Sequence, residues 1–179
     1  MEQMFIPERH EILGNDLATA HFVVARGGKV RFQGSNEWLK FNEEEDMMPD
    51  MPNRYVHGMF LEAVDCEGMN LYYEGLENLR RLYNLKSISF KGVKEFDDWC
   101  LDRVSGLEYD SLEELNIADT KVTYRGLQAL YRIPTLKRLI ISDKELDLET
   151  NLVVAMLLEI MPNLTIIQGS RGKLEAVKQ

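Results

Sequence analysis

The sequence predicts an α/β fold made of repeated strand–helix units, and three observations lead to this expectation. First, a Leu-x-x-Leu-x-Leu frame recurs along the last two thirds of the chain. Second, its copies start at Leu61, Leu85, Leu112 and Leu136, so their spacing is nearly constant. Third, each interval between copies carries apolar residues at three- and four-residue steps, which is typical of an amphipathic helix. A frame of this kind repeated every ~20–29 residues is the signature of leucine-rich repeats.

The alternating part of each copy predicts a short strand with one apolar face. The frame is filled by Leu61, Val64 and Cys66; by Leu85, Ile88 and Phe90; by Leu112, Leu115 and Ile117; and by Leu136, Leu139 and Ile141. Alternate side chains of a strand point to opposite faces of a sheet, so these residues face one common core. We expect a degenerate fifth copy to start at Leu164.

The intervals between the strands predict four crossover helices, in residues 72–84, 97–107, 123–133 and 148–161. Asp97 and Thr123 stand at two helix starts, where a side-chain oxygen can accept a hydrogen bond from a free backbone N–H group. A strand, a crossover helix and a parallel strand, repeated, give a right-handed solenoid. The expected fold class is therefore a short leucine-rich-repeat solenoid of about four to five repeats. A general α/β domain whose leucines align by chance is the alternative.

Residues 1–58 fall outside the repeat and predict an N-terminal cap. The segment from Asp16 to Arg26 predicts a helix, which the pair Gly27–Gly28 ends, since glycine readily adopts the left-handed conformation at a helix C-terminus. Val30 and Phe32 then mark a strand.

The acidic, proline-containing stretch 42–55 predicts a solvated connector between the cap and the repeats. The domain division that follows is a capping segment with this connector in 1–58, a repeat domain in 59–170 and a C-terminal tail in 171–179. We expect residues 1–10 to be flexible unless a partner orders them.

Composition limits the function classes. The chain has 179 residues, 45% of them hydrophobic, which suits one globular domain with a continuous core. Its formal net charge of -9 argues against binding to a phosphate backbone, so we expect no nucleic acid partner. No run of residues approaches the ~18 apolar residues that a membrane-spanning helix needs. The N-terminus resembles neither a secretory signal nor a basic transit peptide.

Metal and thiol chemistry are not expected. The two cysteines, Cys66 and Cys100, lie far apart in the sequence and have no Cys or His neighbour at the spacing of a zinc site. We expect both to be reduced thiols in or near the core, which fits a reducing compartment.

A search for catalytic and cofactor motifs finds no enzyme signature. The Gly27–Gly28 pair does not fit a phosphate-binding loop, which needs G-x-x-x-x-G-K between a strand and a helix. No serine lies in a G-x-S-x-G turn. The acidic run from Glu43 to Asp46 is typical of a solvated loop. We therefore expect no enzymatic activity and no cofactor.

The side chains that alternate with the apolar row predict an exposed sheet face. In a solenoid, this row of strand residues is the usual contact surface for a protein partner. The residues expected to make such contacts are Asp65, Glu67, Ser89, Lys91, Glu114, Asn116, Arg138 and Ile140. The set mixes charged, polar and apolar groups without a nucleophile placed beside a base. We expect a protein-binding surface, although each position taken singly is also an ordinary exposed strand position.

The chain resembles the mitochondrial ATP synthase subunit s-like proteins. The most specific match is the N-terminal stretch "ERHEILGNDLATAHFVVARGGKVRF", because leucine-rich repeats look alike across unrelated proteins. The segments "LEAVDCEGMNL", "GLENLRRLYNLKSISF" and "FDDWCLDRVSGL" extend it, so that the resemblance covers about residues 5–168.

The resemblance implies a mitochondrial protein, peripheral to the inner membrane on its matrix side. One branch of the family assembles the distal membrane arm of respiratory complex I, and its sister branch contains coupling factor B of ATP synthase. The sister branch is associated with a Cys-x-Cys dithiol and a metal. The corresponding strand here reads "SISFKG", from Ser87 to Gly92, and only Cys100 matches a family cysteine. The missing dithiol favours the assembly-factor branch.

The expected function is therefore a non-enzymatic assembly factor that binds membrane-arm subunits of complex I or other assembly factors. A coupling-factor-B-like component of ATP synthase is one alternative. A cytosolic leucine-rich-repeat receptor that selects substrates for a ubiquitin ligase is another. That class needs a helical adaptor-binding module before the repeats, and residues 1–58 contain no clear one.

Overall fold

The computed structural model describes residues 2–170 and 173–176 as a mixed α/β fold. The strands are β1 (Lys29–Phe32), β2 (Leu39–Lys40), β3 (Leu61–Asp65), β4 (Ser87–Ser89), β5 (Glu114–Asn116), β6 (Arg138–Ser142), β7 (Thr165–Ser170) and β8 (Lys173–Ala176). The α-helices are α1 (Pro7–Ala25), α2 (Asp98–Ser105), α3 (Tyr124–Leu127) and α4 (Leu148–Ile160). Two 3-10 helices cover Tyr73–Leu79 and Gln128–Arg132.

All eight strands form one sheet, in the order β2-β1-β3-β4-β5-β6-β7-β8. Strands β3 to β7 are parallel to one another, and each pairs with the next strand in the sequence. A helical segment connects each of these strands to the following one. The four predicted strands are thus present as β3 to β6, and successive repeat units lie side by side.

The register of the sheet aligns the central apolar position of every copy. This row consists of Val64, Ile88, Leu115, Leu139 and Ile166, and all five side chains are buried. The row belongs to one hydrophobic core that also contains buried residues of helix α1, such as Leu17 and Phe22. The N-terminal helix therefore continues the core of the repeats.

The predicted fifth copy starts at Leu164 and is one residue shorter than the others. Leu164 is buried, and its N–H donates to the Met161 carbonyl at 3.0 Å, as the N–H of Leu136 donates to the Ile133 carbonyl at 3.1 Å. Ile166 pairs with Leu139, so one residue separates Leu164 from the central buried position, where the other copies have two. A strand shifted by one residue exchanges its two faces, and the adjacent isoleucines Ile166 and Ile167 left the choice of face open in the sequence.

The type of helix in each connecting segment depends on the length of the interval between two copies of the frame. The two longer intervals, from Leu85 to Leu112 and from Leu136 to Leu164, contain the α-helices α2 and α4. The two shorter intervals, which start at Leu61 and Leu112, contain the 3-10 helices, one of them preceded by the single turn of α3. A 3-10 helix rises about 2.0 Å per residue instead of about 1.5 Å, so fewer residues span the same distance. The helix predicted over 72–84 is a shorter 3-10 helix, Tyr73–Leu79, for this reason.

The caps of three helices are formed by side chains. Asp97 Oδ1 accepts a hydrogen bond from Cys100 N at 3.0 Å, and Thr123 Oγ1 accepts one from Arg125 N at 3.3 Å, which confirms both predicted caps. A third cap, on α4, is formed by Asp147.

The N-terminal segment is more ordered than predicted. Helix α1 begins at Pro7 rather than at Asp16, and Gly14, with φ of 77°, interrupts its helical dihedral angles. This interruption breaks the periodicity on which the sequence prediction depended. Part of the start that was expected to be flexible packs on the fold, because Gln3 is buried and its carbonyl accepts a hydrogen bond from Asn78 Nδ2 at 2.8 Å.

The end of α1 agrees with the sequence prediction. Gly27 adopts a left-handed conformation, with φ of 92°, and β1 follows at Lys29–Phe32. Strand β1 runs antiparallel to β3 and pairs with it, so the predicted cap extends the sheet of the repeats at its N-terminal edge. At the opposite edge, residues 173–176 of the expected tail form β8, antiparallel to β7. The rest of that tail, 171–172 and 177–179, lies outside the described residues.

Candidate partner-binding face

Six of the eight predicted contact residues lie on one face of the sheet. The register aligns Ser87, Glu114 and Arg138 in one row across β4 to β6. A second row, two residues further along the strands, contains Asp65, Ser89, Asn116 and Ile140. Side chains two residues apart in a strand point to the same side, opposite to the buried row. We call this side of strands β1 to β6 the polar face; Glu67 and Lys91 follow the ends of β3 and β4.

Ion pairs on the polar face join neighbouring strands. Glu114 Oε1 lies 3.2 Å from Arg138 Nη1, and Glu114 Oε2 also accepts a hydrogen bond from Ser87 Oγ at 3.3 Å. Asp65 Oδ2 lies 3.8 Å from Lys29 Nζ on β1. Exposed pairs of this kind contribute only ~0–1 kcal/mol to stability, so their positions on the surface matter more for recognition than for the fold.

Three of the predicted contact residues also form turns at the ends of their strands. Asp65 Oδ1 accepts a hydrogen bond from Glu67 N at 2.9 Å, Ser89 Oγ accepts one from Lys91 N at 3.2 Å, and Asn116 Oδ1 accepts one from Ala118 N at 3.0 Å. Each bond satisfies the N–H two residues ahead, which is the usual turn role of Asp, Asn and Ser. A structural role therefore accounts for part of the polar pattern.

Ile140 does not offer an exposed contact. It is 7% exposed and forms a small second cluster with Ala118 and Ile167. Ile167 is its direct partner in β7, and cross-strand apolar neighbours shield each other from water. Ile140 was predicted to be an exposed contact position, and the structure corrects this prediction.

The polar face extends beyond the predicted residues to an aromatic side chain at its N-terminal edge. Lys29 Nζ lies 4.9 Å from the centre of the Trp38 ring and Arg31 Cζ lies 5.6 Å from it. Arg31 also pairs with Glu62 at 2.9 Å, and Trp38 is 40% exposed. Cation–π attraction favours these contacts, and tryptophan and arginine are enriched among the residues that contribute most to binding at protein interfaces. The signal in the sequence was a lone tryptophan in a polar segment shortly after Lys29 and Arg31.

The two cysteines are both free and both buried. Burial raises the pKa of the Cys66 thiol strongly, and it raises the pKa of the Cys100 thiol to about 11. Both sulfurs are therefore protonated at neutral pH, whereas nucleophilic and metal-binding cysteines are thiolates. The placement of both cysteines in the core agrees with the sequence prediction.

Two further observations concern the part of the chain that the structure describes. Within residues 2–170 and 173–176, no group of three or more His, Cys, Asp or Glu side chains is arranged to hold a metal ion. Over the same residues, no helix combines the length and the apolar character that crossing a bilayer requires.

No protein-family model matches the chain. Among curated proteins, the chain is 48% identical over 165 residues to "Distal membrane arm assembly component 2" of Drosophila melanogaster, a match that covers 92% of this chain and 57% of that protein. It is 31% identical over 140 residues to "ATP synthase subunit s, mitochondrial" of Rattus norvegicus, covering 76% of this chain and 66% of the relative. The human protein of the same name is 26% identical over the same length.

The chain thus spans about 57% of the length of the first relative and about 66% of the second. The names of these relatives describe a distal membrane arm assembly component and a mitochondrial ATP synthase subunit. The resemblance found in the N-terminal stretch and the repeats is confirmed by similarity over most of the chain. The chain belongs to the ATP synthase subunit s-like family.

Proposed function

We propose that the chain is a non-enzymatic protein-binding scaffold that acts as an assembly factor for the distal membrane arm of mitochondrial respiratory complex I. The observation that carries the proposal is the 48% identity to a distal membrane arm assembly component over 92% of the chain. The identity to ATP synthase subunit s is lower, at 26–31% over 76% of the chain.

The architecture proposed for this function is a short leucine-rich-repeat solenoid. Five parallel strands in sequence order support it, as do frame copies that recur at intervals of ~20–29 residues. In a solenoid the strands line a concave surface, which suits binding of an extended protein segment. The polar face is that concave surface in our proposal.

The proposed binding site consists of the polar face and its aromatic edge. Its members are Lys29, Arg31, Trp38, Asp65, Glu67, Ser89, Lys91, Glu114, Asn116 and Arg138. The partners are membrane-arm subunits or other assembly factors, held at the inner membrane on the matrix side. Relatives that are named as mitochondrial support a mitochondrial location over a cytosolic receptor of a ubiquitin ligase. The chain is peripheral to the membrane in this proposal and reaches it through its partners.

The test is to deplete the protein from its own cells and to separate mitochondrial membranes on native gels with activity stains for complex I and ATP synthase. Loss of full-size complex I, together with accumulation of a smaller membrane-arm intermediate, is the expected result. Intact complex I after complete depletion would refute the proposal.

A coupling-factor-B-like role in ATP synthase is the second candidate, because the chain is 31% identical to the rat ATP synthase subunit s. The same gels separate the two proposals, since a loss confined to the ATP synthase stain would favour this one. The stretch Ser87 to Gly92 has no cysteine, so a dithiol mechanism at that strand is not part of either proposal.

A further inference from the structure

Helix α4 exposes a line of large apolar side chains. Leu148, Leu152, Met156 and Ile160 are spaced four residues apart and are 70%, 62%, 40% and 53% exposed, respectively. Residues four apart lie one above another on the same side of an α-helix. They form a continuous line about 18 Å long, because an α-helix rises about 1.5 Å per residue. We call these four residues the α4 ridge.

The opposite side of α4 already packs against the protein. Val153, Val154 and Leu157 are buried in the main core. A surface helix with one core-facing side normally carries polar residues on its outer side. Single exposed apolar residues are common, but a contiguous apolar patch on a soluble protein marks an interaction site. The fold of this chain therefore does not explain the α4 ridge.

The segment of the chain that carries the α4 ridge is acidic. Between Asp143 and Asn163 the sequence has five carboxylates and one basic residue, Lys144. Glu149 and Glu159 lie on α4 itself, one near each end, and both are exposed. Anionic lipid headgroups attract basic segments and are repelled by acidic ones. The charge around the ridge therefore disfavours a membrane surface and favours a partner with Lys or Arg beside its apolar contacts.

We infer that the α4 ridge docks an amphipathic helix of a protein partner, with apolar residues along one side and basic residues at its borders. A row of side chains at every fourth position fits the groove between two such rows on another helix, with an interaxial angle near -50°. Recognition of an amphipathic helix through anchors at helical spacing is a common binding mode. This site is separate from the polar face, because α4 packs on the core side of the sheet. It does not depend on which complex the chain helps to assemble.

The test uses the full chain and two fluorescent synthetic helices of equal length that share one leucine stripe. One helix has lysines at the borders of the stripe, and the other has glutamates. Anisotropy titrations should show at least about tenfold tighter binding of the lysine-bordered helix, with a difference that shrinks as salt is added. Leu152→Asp should weaken that binding by about tenfold or more, because it replaces an apolar contact with a charge.

Ile12→Asp is the matched control, since Ile12 is 61% exposed and lies on helix α1. It should leave the affinity unchanged, and circular dichroism should show that both variants are folded. Equal binding of the two peptides, or an unchanged affinity of Leu152→Asp, would overturn the inference.

Two other results would also overturn the inference by assigning the α4 ridge to another occupant. In the first, the full chain floats with vesicles of phosphatidylcholine and cardiolipin, and Leu152→Asp abolishes this flotation. That result would identify a lipid surface as the occupant. In the second, the full chain sediments as a dimer and the Leu152→Asp variant sediments as a monomer. That result would identify a second copy of the chain as the occupant.

Discussion

Gly28 illustrates how single residues determine the packing between helix α1 and the sheet. A Cβ atom at this position would lie 2.6 Å from Val23 Cγ1, 2.7 Å from Met69 Sδ and 2.8 Å from the Asp65 carbonyl oxygen. Position 27 favours glycine because its φ is positive, whereas position 28 requires glycine because the neighbouring atoms leave no space for a Cβ atom. The sequence predicts that both glycines end the helix, but it does not distinguish a requirement for positive φ from a requirement for space.

Gly28→Ala should therefore destabilise the protein by about 1–3 kcal/mol, because the backbone oxygen of β3 cannot move away without disturbing the sheet. Gly106→Ala is the control, since a Cβ there meets its nearest neighbour at an ordinary 3.6 Å. Urea denaturation of both variants measures the difference. A Gly28→Ala protein as stable as the wild type would show that α1 packs less closely than described.

His10 predicts a pH dependence of stability. Burial lowers its pKa below the usual 6.5, although the hydrogen bond that His10 Nδ1 donates to Asn15 Oδ1 at 2.8 Å acts in the opposite direction. The unfolded chain therefore binds a proton more readily than the folded chain. The free energy of unfolding should fall as pH drops below 6.5 and should stop falling once the folded-state pKa is passed.

His10→Gln should flatten this part of the stability profile, because glutamine does not titrate. Urea denaturation at several pH values between neutral and mildly acidic would measure it. His21→Gln is the comparison variant, since His21 shares the α1 helix. If the stability of wild type and of His10→Gln fell equally steeply with decreasing pH, the assignment to His10 would be contradicted.

At the scale of secondary-structure elements, helix α2 depends on its cap. Asp97→Ala should destabilise the protein by about 0.5–2 kcal/mol, because the N–H of Cys100 loses its partner at the helix start. Asp97→Asn should retain most of the stability, since asparagine also caps well. Thermal unfolding measures both variants, with Asp50→Ala in the connector as the control. Equal melting temperatures for Asp97→Ala and wild type would show that the cap contributes nothing.

The strands and caps could be predicted because their signals are local. The Leu-x-x-Leu-x-Leu frame located four strands, and Asp97 and Thr123 marked two helix starts. The 3-10 helix at Tyr73–Leu79 was not predicted, because the leucine spacing at Leu76 and Leu79 fits both kinds of helix. The available signal was the shorter interval from Leu61 to Leu85, compared with the longer one from Leu85 to Leu112.

At the scale of the whole molecule, the register of the sheet determines which side chains meet. The sequence predicted a polar face but not the pairing of Glu114 with Arg138 or the burial of Ile140, because both depend on neighbouring strands. The edge at Trp38 was missed because β1 pairs with β3 across the whole acidic connector and β2. Long-range pairing of this kind leaves no local pattern in one sequence.

Exchanging two charges on the polar face should change partner binding without changing the stability of the fold. The double variant Glu114→Arg with Arg138→Glu keeps the ion pair and the net charge of -9, while it reverses the charges that a partner meets. Its melting temperature should match that of the wild type, because exposed pairs contribute little to stability.

The most direct measurement is complementation of depleted cells with the wild-type chain or with this double variant, followed by native-gel staining for complex I activity. Our account predicts that the wild-type chain restores full-size complex I and that the folded double variant does not. Failure of the wild-type chain to restore complex I would contradict the proposed function. Full restoration by the double variant would contradict the polar face as the binding site.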